Sequence, residues 1–175
     1  RGEDPDGSAV PGQQGGAKGV AAGRFTEQLL PVELTSRKGT TTFDTDEHIR
    51  ADVTLEGMAK LRPAFRKGDG TVTAGNASGV NDAASAVVLM ERAAAEERGL
   101  APMARLVAYS HAAVDPKYMG IGPVPAVHKV LDKAGMKVGD LDLIELHEAF
   151  AAQALAVIRE PGLPADQTNP NGRRN

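Results

Sequence analysis

The sequence predicts an α/β protein, with mostly parallel sheet units and covering helices. Three observations lead there. Beyond residue 80, apolar runs of strand length alternate with stretches of helical period. Residues 83–90, Ala-Ala-Ser-Ala-Val-Val-Leu-Met, are almost continuously apolar, the pattern of a strand buried on both faces. A third apolar stretch, residues 140–146, ends at the polar pair His147-Glu148, and an Ala-rich helix follows at once. Open α/β sheets place their ligands at such carboxyl ends of strands.

Taken in order, residues 1–23 carry Gly2, Gly7, Gly12, Gly15, Gly16, Gly19 and Gly23 with Pro5 and Pro11, and offer little apolar surface. A segment of that kind is expected to be mobile, because burial cannot offset its ordering entropy. From Phe25 the pattern turns globular. Residues 29–34 and 40–44 read as short strands around the Arg37-Lys38-Gly39 turn. Residues 54–61 read as a short helix that Pro63 ends, since the residue before proline avoids the α region. Gly68-Asp69-Gly70 is a turn and Thr71-Val72-Thr73 a short strand. After the run at 83–90, residues 91–98 form a helix capped by Gly99. Residues 104–109 are the next strand. The helix at 125–134 shows Val127, Val130, Leu131 and Ala134 on one face, with Pro125 near its start and Gly135 after its end. The last strand is 140–146, and the last helix, 148–159, presents Phe150, Ala154, Leu155 and Ile158. No internal repeat is evident.

Composition narrows the function. A net charge of −3 with interspersed signs argues against a nucleic-acid partner. No apolar run reaches the roughly 18 residues of a membrane span. No secretory signal pattern opens the chain, so the cytoplasm is the default location. With 0 Cys there is no disulfide framework, no thiolate nucleophile and no zinc–thiolate site, and no metal site is expected. The chain begins at Arg1, which suggests a piece of something longer.

Three loops carry candidate chemistry, and each also has a structural reading. Thr73-Ala-Gly-Asn-Ala-Ser-Gly79, followed by Val80-Asn-Asp82, lets a backbone approach a ligand closely, yet Gly, Asn and Ser are ordinary turn residues too. Asp115-Pro-Lys-Tyr-Met-Gly-Ile-Gly-Pro123 is fixed by two prolines and two glycines, and on spacing alone it is a connector. His147 at a strand end fits a hydrogen-bonded structural histidine as well as a catalytic one. His48, His111 and His128 have no supporting motif and read as surface residues.

Taken together, these motifs resemble the thiolase family. The resembling residues are Ala74-Gly-Asn-Ala-Ser-Gly79, Asp115-Pro with Met119-Gly120, His147-Glu-Ala-Phe150, Thr45-Asp-Glu-His-Ile-Arg50 and Lys60-Leu-Arg-Pro-Ala-Phe65. The likeness runs from about Ala21 to Gly172, with scattered similarity before it, and is nearest to bacterial acetoacetyl-CoA and β-ketoacyl-CoA thiolases. It implies a partial thiolase-like fold. Residues 24–79 would be the end of the CoA-contacting loop domain, 80–100 the last strand and helix of the first catalytic domain, and 101–175 the first half of the second. It also implies an acyl-CoA C-acyltransferase acting in fatty acid metabolism. Such enzymes cleave a 3-ketoacyl-CoA by thiolysis or run the reverse Claisen condensation, with coenzyme A or acyl-CoA as substrate and no permanently bound cofactor. The intact family forms homo-oligomers.

Residue by residue, the resemblance gives Arg50 the nucleotide end of coenzyme A. Phe65 would flank the pantetheine arm, Ser78 and Ala74 would touch it, and Met119 would wall the acyl pocket. Phe150 falls in the same cofactor-binding set, and His147 supports the oxyanion hole. An oxyanion-hole donor is worth roughly 3 to 4 kcal/mol of barrier. Gly57 stands where one branch of the family has a cofactor-contacting serine, so that contact is missing. Three family features are also absent. They are the nucleophilic Cys, the Gly-His-Pro His that activates it, and the acid/base Cys. The family continues Asn-x-Asn-Gly toward Gly-His-Pro, whereas this chain reads Asn169-Pro-Asn-Gly172 and then Arg-Arg-Asn175. Neither Ser78 nor Ser85 sits in a Gly-x-Ser-x-Gly elbow that would activate it in place of a thiol. The polypeptide alone is therefore expected to be inactive. A non-catalytic CoA-binding module and an assembly partner are the alternatives.

Overall fold

The computed structural model describes residues 3–82, 84 and 86–170. Readings that fall on Ala83, Ser85 and residues 1–2 and 171–175 lie outside the described residues. The chain divides into two units, residues 1–79 with 141–175, and residues 80–140. One break falls at the boundary expected at residue 80, and the other lies between residues 140 and 141, because the segment after residue 140 packs with the first 79 residues.

In the first unit, α1 spans Glu3–Ala21. The expectation of a mobile 1–23 segment is corrected here. Five internal glycines and Pro11 weaken a helix, by about 1 kcal/mol per glycine relative to alanine. Tertiary packing overrides that weakness. Helix α1 lies against α2 (Leu55–Ala59) and α5 (Ala151–Arg159). Ala9 and Val10 are buried with Met58 and Ala151, flanked by Val53 and Leu61. Small side chains let these helices approach closely, so a sequence poor in bulky apolar residues still forms an interface.

A two-stranded antiparallel hairpin follows, β1 (Val32–Ser36) with β2 (Gly39–Phe43), paired Val32 to Phe43 through Ser36 to Gly39. Its tight turn is at the expected place. Both faces are exposed, and side-chain bonds such as Thr42 Oγ1 to Glu33 Oε1 at 2.6 Å add to the ladder. Thr54 caps α2, its hydroxyl accepting from Gly57 N–H at 3.1 Å. Residues 71–73 form no strand, and Val72 instead accepts from Ala64 N–H at 2.8 Å.

The expected strand 140–146 is reduced to one parallel bridge, Ile144 with Thr168. Helix α5 starts at Ala151, three residues later than expected, and buries Ala151, Ala154 and Val157 rather than the face of Phe150, Leu155 and Ile158.

In the second unit, α3 (Arg92–Glu97) ends at Gly99, whose φ is 66°, and α4 (Pro123–Ala134) ends at Gly135, also at 66°. In α4, Gly135 N–H donates to Asp132 O and Met136 N–H to Leu131 O, a Schellman closure. Val127, Val130, Leu131 and Ala134 make the half-buried stripe that the period predicted. Residues 109–111 are tied to α4 by side chains: Ser110 Oγ donates to Ala126 O at 2.6 Å and Lys133 Nζ to Tyr109 O at 3.1 Å. The described residues of 83–90, and residues 104–109, form no helix or strand and pair with no strand among the described residues. A strand needs a neighbour to bond with, and none runs beside these segments among the described residues. The fold is mixed helix and sheet, a partial α/β arrangement in which the hairpin is the one sheet among the described residues.

Candidate functional site

The site is built where two loops of the first unit cross, residues 71–79 and 146–151. Asn76 organises the first loop. Its Oδ1 accepts from Thr73 N–H at 2.9 Å, while its Nδ2 donates to Thr71 O at 2.9 Å and to Asp6 Oδ1 on α1 at 2.8 Å. Thr73, Asn76 and Asp6 are all buried. Gly75 sits close beside them: a Cβ there would press on Met58 Sδ and lie 2.7 Å from Leu61 Cδ1, so both side chains would have to shift.

The two loops are stitched by backbone bonds. Ser78 N–H donates to Ala149 O and Ala151 N–H to Asn76 O, each at 2.9 Å, and Ala77 bridges Phe150. The second of these satisfies the first amide of α5, which Phe150 precedes without a side-chain cap. On the far side, Asn169 holds the approach to the junction. Leu146 N–H donates to its Oδ1 at 2.7 Å, and its Nδ2 donates to Leu146 O and Glu148 Oε1, both at 2.9 Å. Glu148 is fully buried, and its neighbour His147 is exposed.

The structure brings several expected site residues together and leaves others apart. Phe65 and Phe150 meet edge to face, with ring centroids 6.1 Å apart at 78°. Phe65 is otherwise open, at 74% exposure. Ser78 lies beside the junction through its backbone, and Ala74 is exposed on the same loop. The Arg50 side chain is exposed, and its backbone N–H donates to Gln13 Oε1 of α1 at 2.9 Å. Met119 belongs to the second unit, exposed on the short 3-10 turn Pro116–Ile121 that Asp115 caps. Sequence reasoning missed Asp6, Thr73 and Asn169 as structural members of the site. Asp6 stands 70 residues from Asn76, and no local pattern announces such a pair. Among the described residues, no group of three or more His, Cys, Asp and Glu is placed to hold a metal ion, and no helix is long and apolar enough to cross a membrane.

Comparison with known proteins identifies the family. The thiolase N-terminal domain matches residues 2–93 and the thiolase C-terminal domain residues 100–173. The likeness thus includes the first 20 residues, where only scattered similarity was expected. A β-ketothiolase of Cupriavidus necator is 59% identical over 95% of this chain and 42% of its own length. An acetyl-CoA acetyltransferase of Paracoccus denitrificans is 52% identical over 97% of this chain and 43% of its own length. The crystal structure of the Bacillus anthracis acetyl-CoA acetyltransferase superposes with a TM-score of 0.92 at 48% identity, covering 98% of this chain and 43% of that one. Human mitochondrial 3-ketoacyl-CoA thiolase in complex with CoA gives 0.88 at 45% identity, covering 98% and 42%. The chain spans less than half the length of these relatives.

Proposed function

The chain belongs to the thiolase family, and on that premise we propose that it forms part of an acyl-CoA C-acyltransferase. The reaction is thiolytic cleavage of a 3-ketoacyl-CoA or the reverse Claisen condensation, in the cytoplasm, with coenzyme A as substrate and no resident cofactor. The observation that carries this reading is the crossing of the two loops: Phe65 stands against Phe150, and the Ser78 backbone is bonded to the Ala149 carbonyl. An aromatic pair beside a small-residue loop suits a narrow, uncharged arm such as pantetheine. Arg50, exposed and cationic, suits the phosphates at the nucleotide end. Ala74 and Phe150 complete the cofactor set, Met119 lines the acyl group, and His147 holds a donor at the oxyanion. Residues 24–79 form the end of the loop domain, and residues 80–100 and 101–175 contribute to the two catalytic domains.

A polypeptide of these 175 residues has 0 Cys and cannot form the thioester intermediate. It therefore binds without turning over. Two measurements test the reading. Calorimetric titration with coenzyme A should show one site, weakened about tenfold (~1.4 kcal/mol) by Phe65→Ala. An absence of binding heat at millimolar coenzyme A overturns the assignment. Acetoacetyl-CoA absorbance should stay constant when free coenzyme A is added, and protein-dependent loss at a rate near that of an intact thiolase would refute the inactive-alone reading. The unpaired apolar segments of the second unit favour a second reading, an assembly partner that is completed by strands from another chain.

A further inference from the structure

We infer that Asn169 is a positioning residue that fixes the direction of His147. Its side chain grips the backbone on one side of the histidine and a side chain on the other. Leu146 N–H donates to Oδ1 at 2.7 Å, one Nδ2 hydrogen reaches Leu146 O at 2.9 Å, and the other reaches Glu148 Oε1 at 2.9 Å. Both amide hydrogens are used and Oδ1 accepts one bond, three of the four hydrogen bonds an amide can make.

The backbone of Asn169 joins in, donating to Ile144 O at 2.9 Å while Ile144 N–H donates to Gln167 O at 2.9 Å. Beyond the histidine, Ala149 and Ala151 are held by Ser78 and Asn76. His147 is thus the exposed residue of a segment pinned before and after it.

The conformation of Asn169 supports the inference. At φ 53° it is the only non-glycine with positive φ among the described residues, and it is 6% exposed. Asparagine tolerates the left-handed region better than most residues, but glycine would sit there with less strain. A residue that only turned the chain there would be best served by glycine. The amide adds a grip on residues 146 and 148 that glycine cannot supply. An aspartate would not supply it either, because its carboxylate would present acceptors to Leu146 O and Glu148 Oε1.

The value of this grip to an oxyanion hole rests on the thiolase reading of His147. The grip itself does not, so the test is made without ligand. The chain is labelled with 13C-histidine, and the imidazole cross-peaks of its four histidines are followed together with amide exchange at residues 146–148. Asn169→Gly accepts the backbone angle and removes only the side chain. We expect its His147 peaks to collapse toward solvent values and amide exchange at residues 146–148 to quicken at least tenfold. The peaks of His48, His111 and His128 and the helical circular dichroism should stay unchanged. Asn169→Asp keeps the volume and loses both donors, and should behave like the glycine variant. Unchanged His147 peaks and exchange in either variant overturn the inference. If Asn169→Gly unfolds the chain, the aspartate variant alone decides, by the same readout. Coenzyme A titration of the wild-type chain is scored separately, so a failure to bind leaves the positioning result standing.

Discussion

Asn76 commits its entire side chain to the polypeptide. Removing it would leave three partners without their bonds, namely the buried Thr73 N–H and Asp6 carboxyl oxygen and the part-buried Thr71 O. Each such loss costs about 1 to 3 kcal/mol, so Asn76→Ala should destabilise the first unit by about 3 kcal/mol or more. Asn76→Asp should do comparable damage despite its equal size, since it turns a donor toward Asp6 into an acceptor. Denaturant unfolding of both variants checks this, and a harmless Asp variant would mean that shape alone matters there. Gly75→Ala is a second expectation at this scale. Its methyl would meet Met58 and Leu61, an overpacking that costs about 1 to 3 kcal/mol, read by the same unfolding curves. What the sequence revealed at this scale follows distance along the chain. His147, Glu148, Phe150 and Ser78 stand out in the sequence because each sits in a compact local motif. Asn169 and Asp6 do not, because their partners lie 21 and 70 residues away.

Among the elements, those with chemical signals at their ends were legible from sequence. Helices α3 and α4 close at Gly99 and Gly135 as their local chemistry foretold, and α2 runs over Leu55–Ala59 within the expected 54–61. Gly135→Ala should cost about 1 kcal/mol, because alanine resists the left-handed φ of 66° that closes α4. A thermal melt monitored at the helical band should show the loss, and an unchanged melt would mean the cap contributes nothing. Helix α1 was illegible for the opposite reason. Its glycines and Pro11 argue against a helix locally, and only the neighbouring Met58 and Ala151 make one worthwhile. This changes where a protease should cut first. Lys18 lies in the last turn of α1, whereas Arg105 lies in a segment with no helix and no strand partner among the described residues. Proteases need an unfolded stretch to bind, so brief trypsin treatment should cleave after Arg105 before Lys18. Mass spectrometry of the first fragments decides, and an initial cut at Lys18 would restore the picture of a loose N-terminus.

At the scale of the whole molecule, the parallel sheet expected from the apolar runs is absent among the described residues, and the cause is physical. Sequence pattern reports which residues want to be buried, but a sheet also needs neighbouring strands, and those are not encoded within the run itself. The second unit shows the consequence. Val87, Val88 and Leu89 are exposed, Val88 at 86%, and so are Leu106 and Val107. These five side chains lie on backbone outside any helix or strand, whose N–H and C=O groups have no ladder partner among the described residues. Residues 109–111 are held to α4 by Ser110 and Lys133, so the segment is kept near a helix without being covered by one. Apolar side chains on unpaired backbone are the combination that recruits another chain, since association buries the side chains and completes the hydrogen bonds in one step. The net charge of −3 is too small to oppose it strongly. The 175-residue polypeptide should therefore self-associate with rising concentration, and light scattering after size exclusion should show mass above the 18.2 kDa monomer. Val88→Lys with Val107→Lys places charge on both segments and should return the protein toward monomer while leaving the helical circular dichroism in place. A wild-type chain that stays monomeric at high concentration and melts in one sharp step would show that the second unit is self-sufficient, and would remove the observation behind the assembly-partner reading.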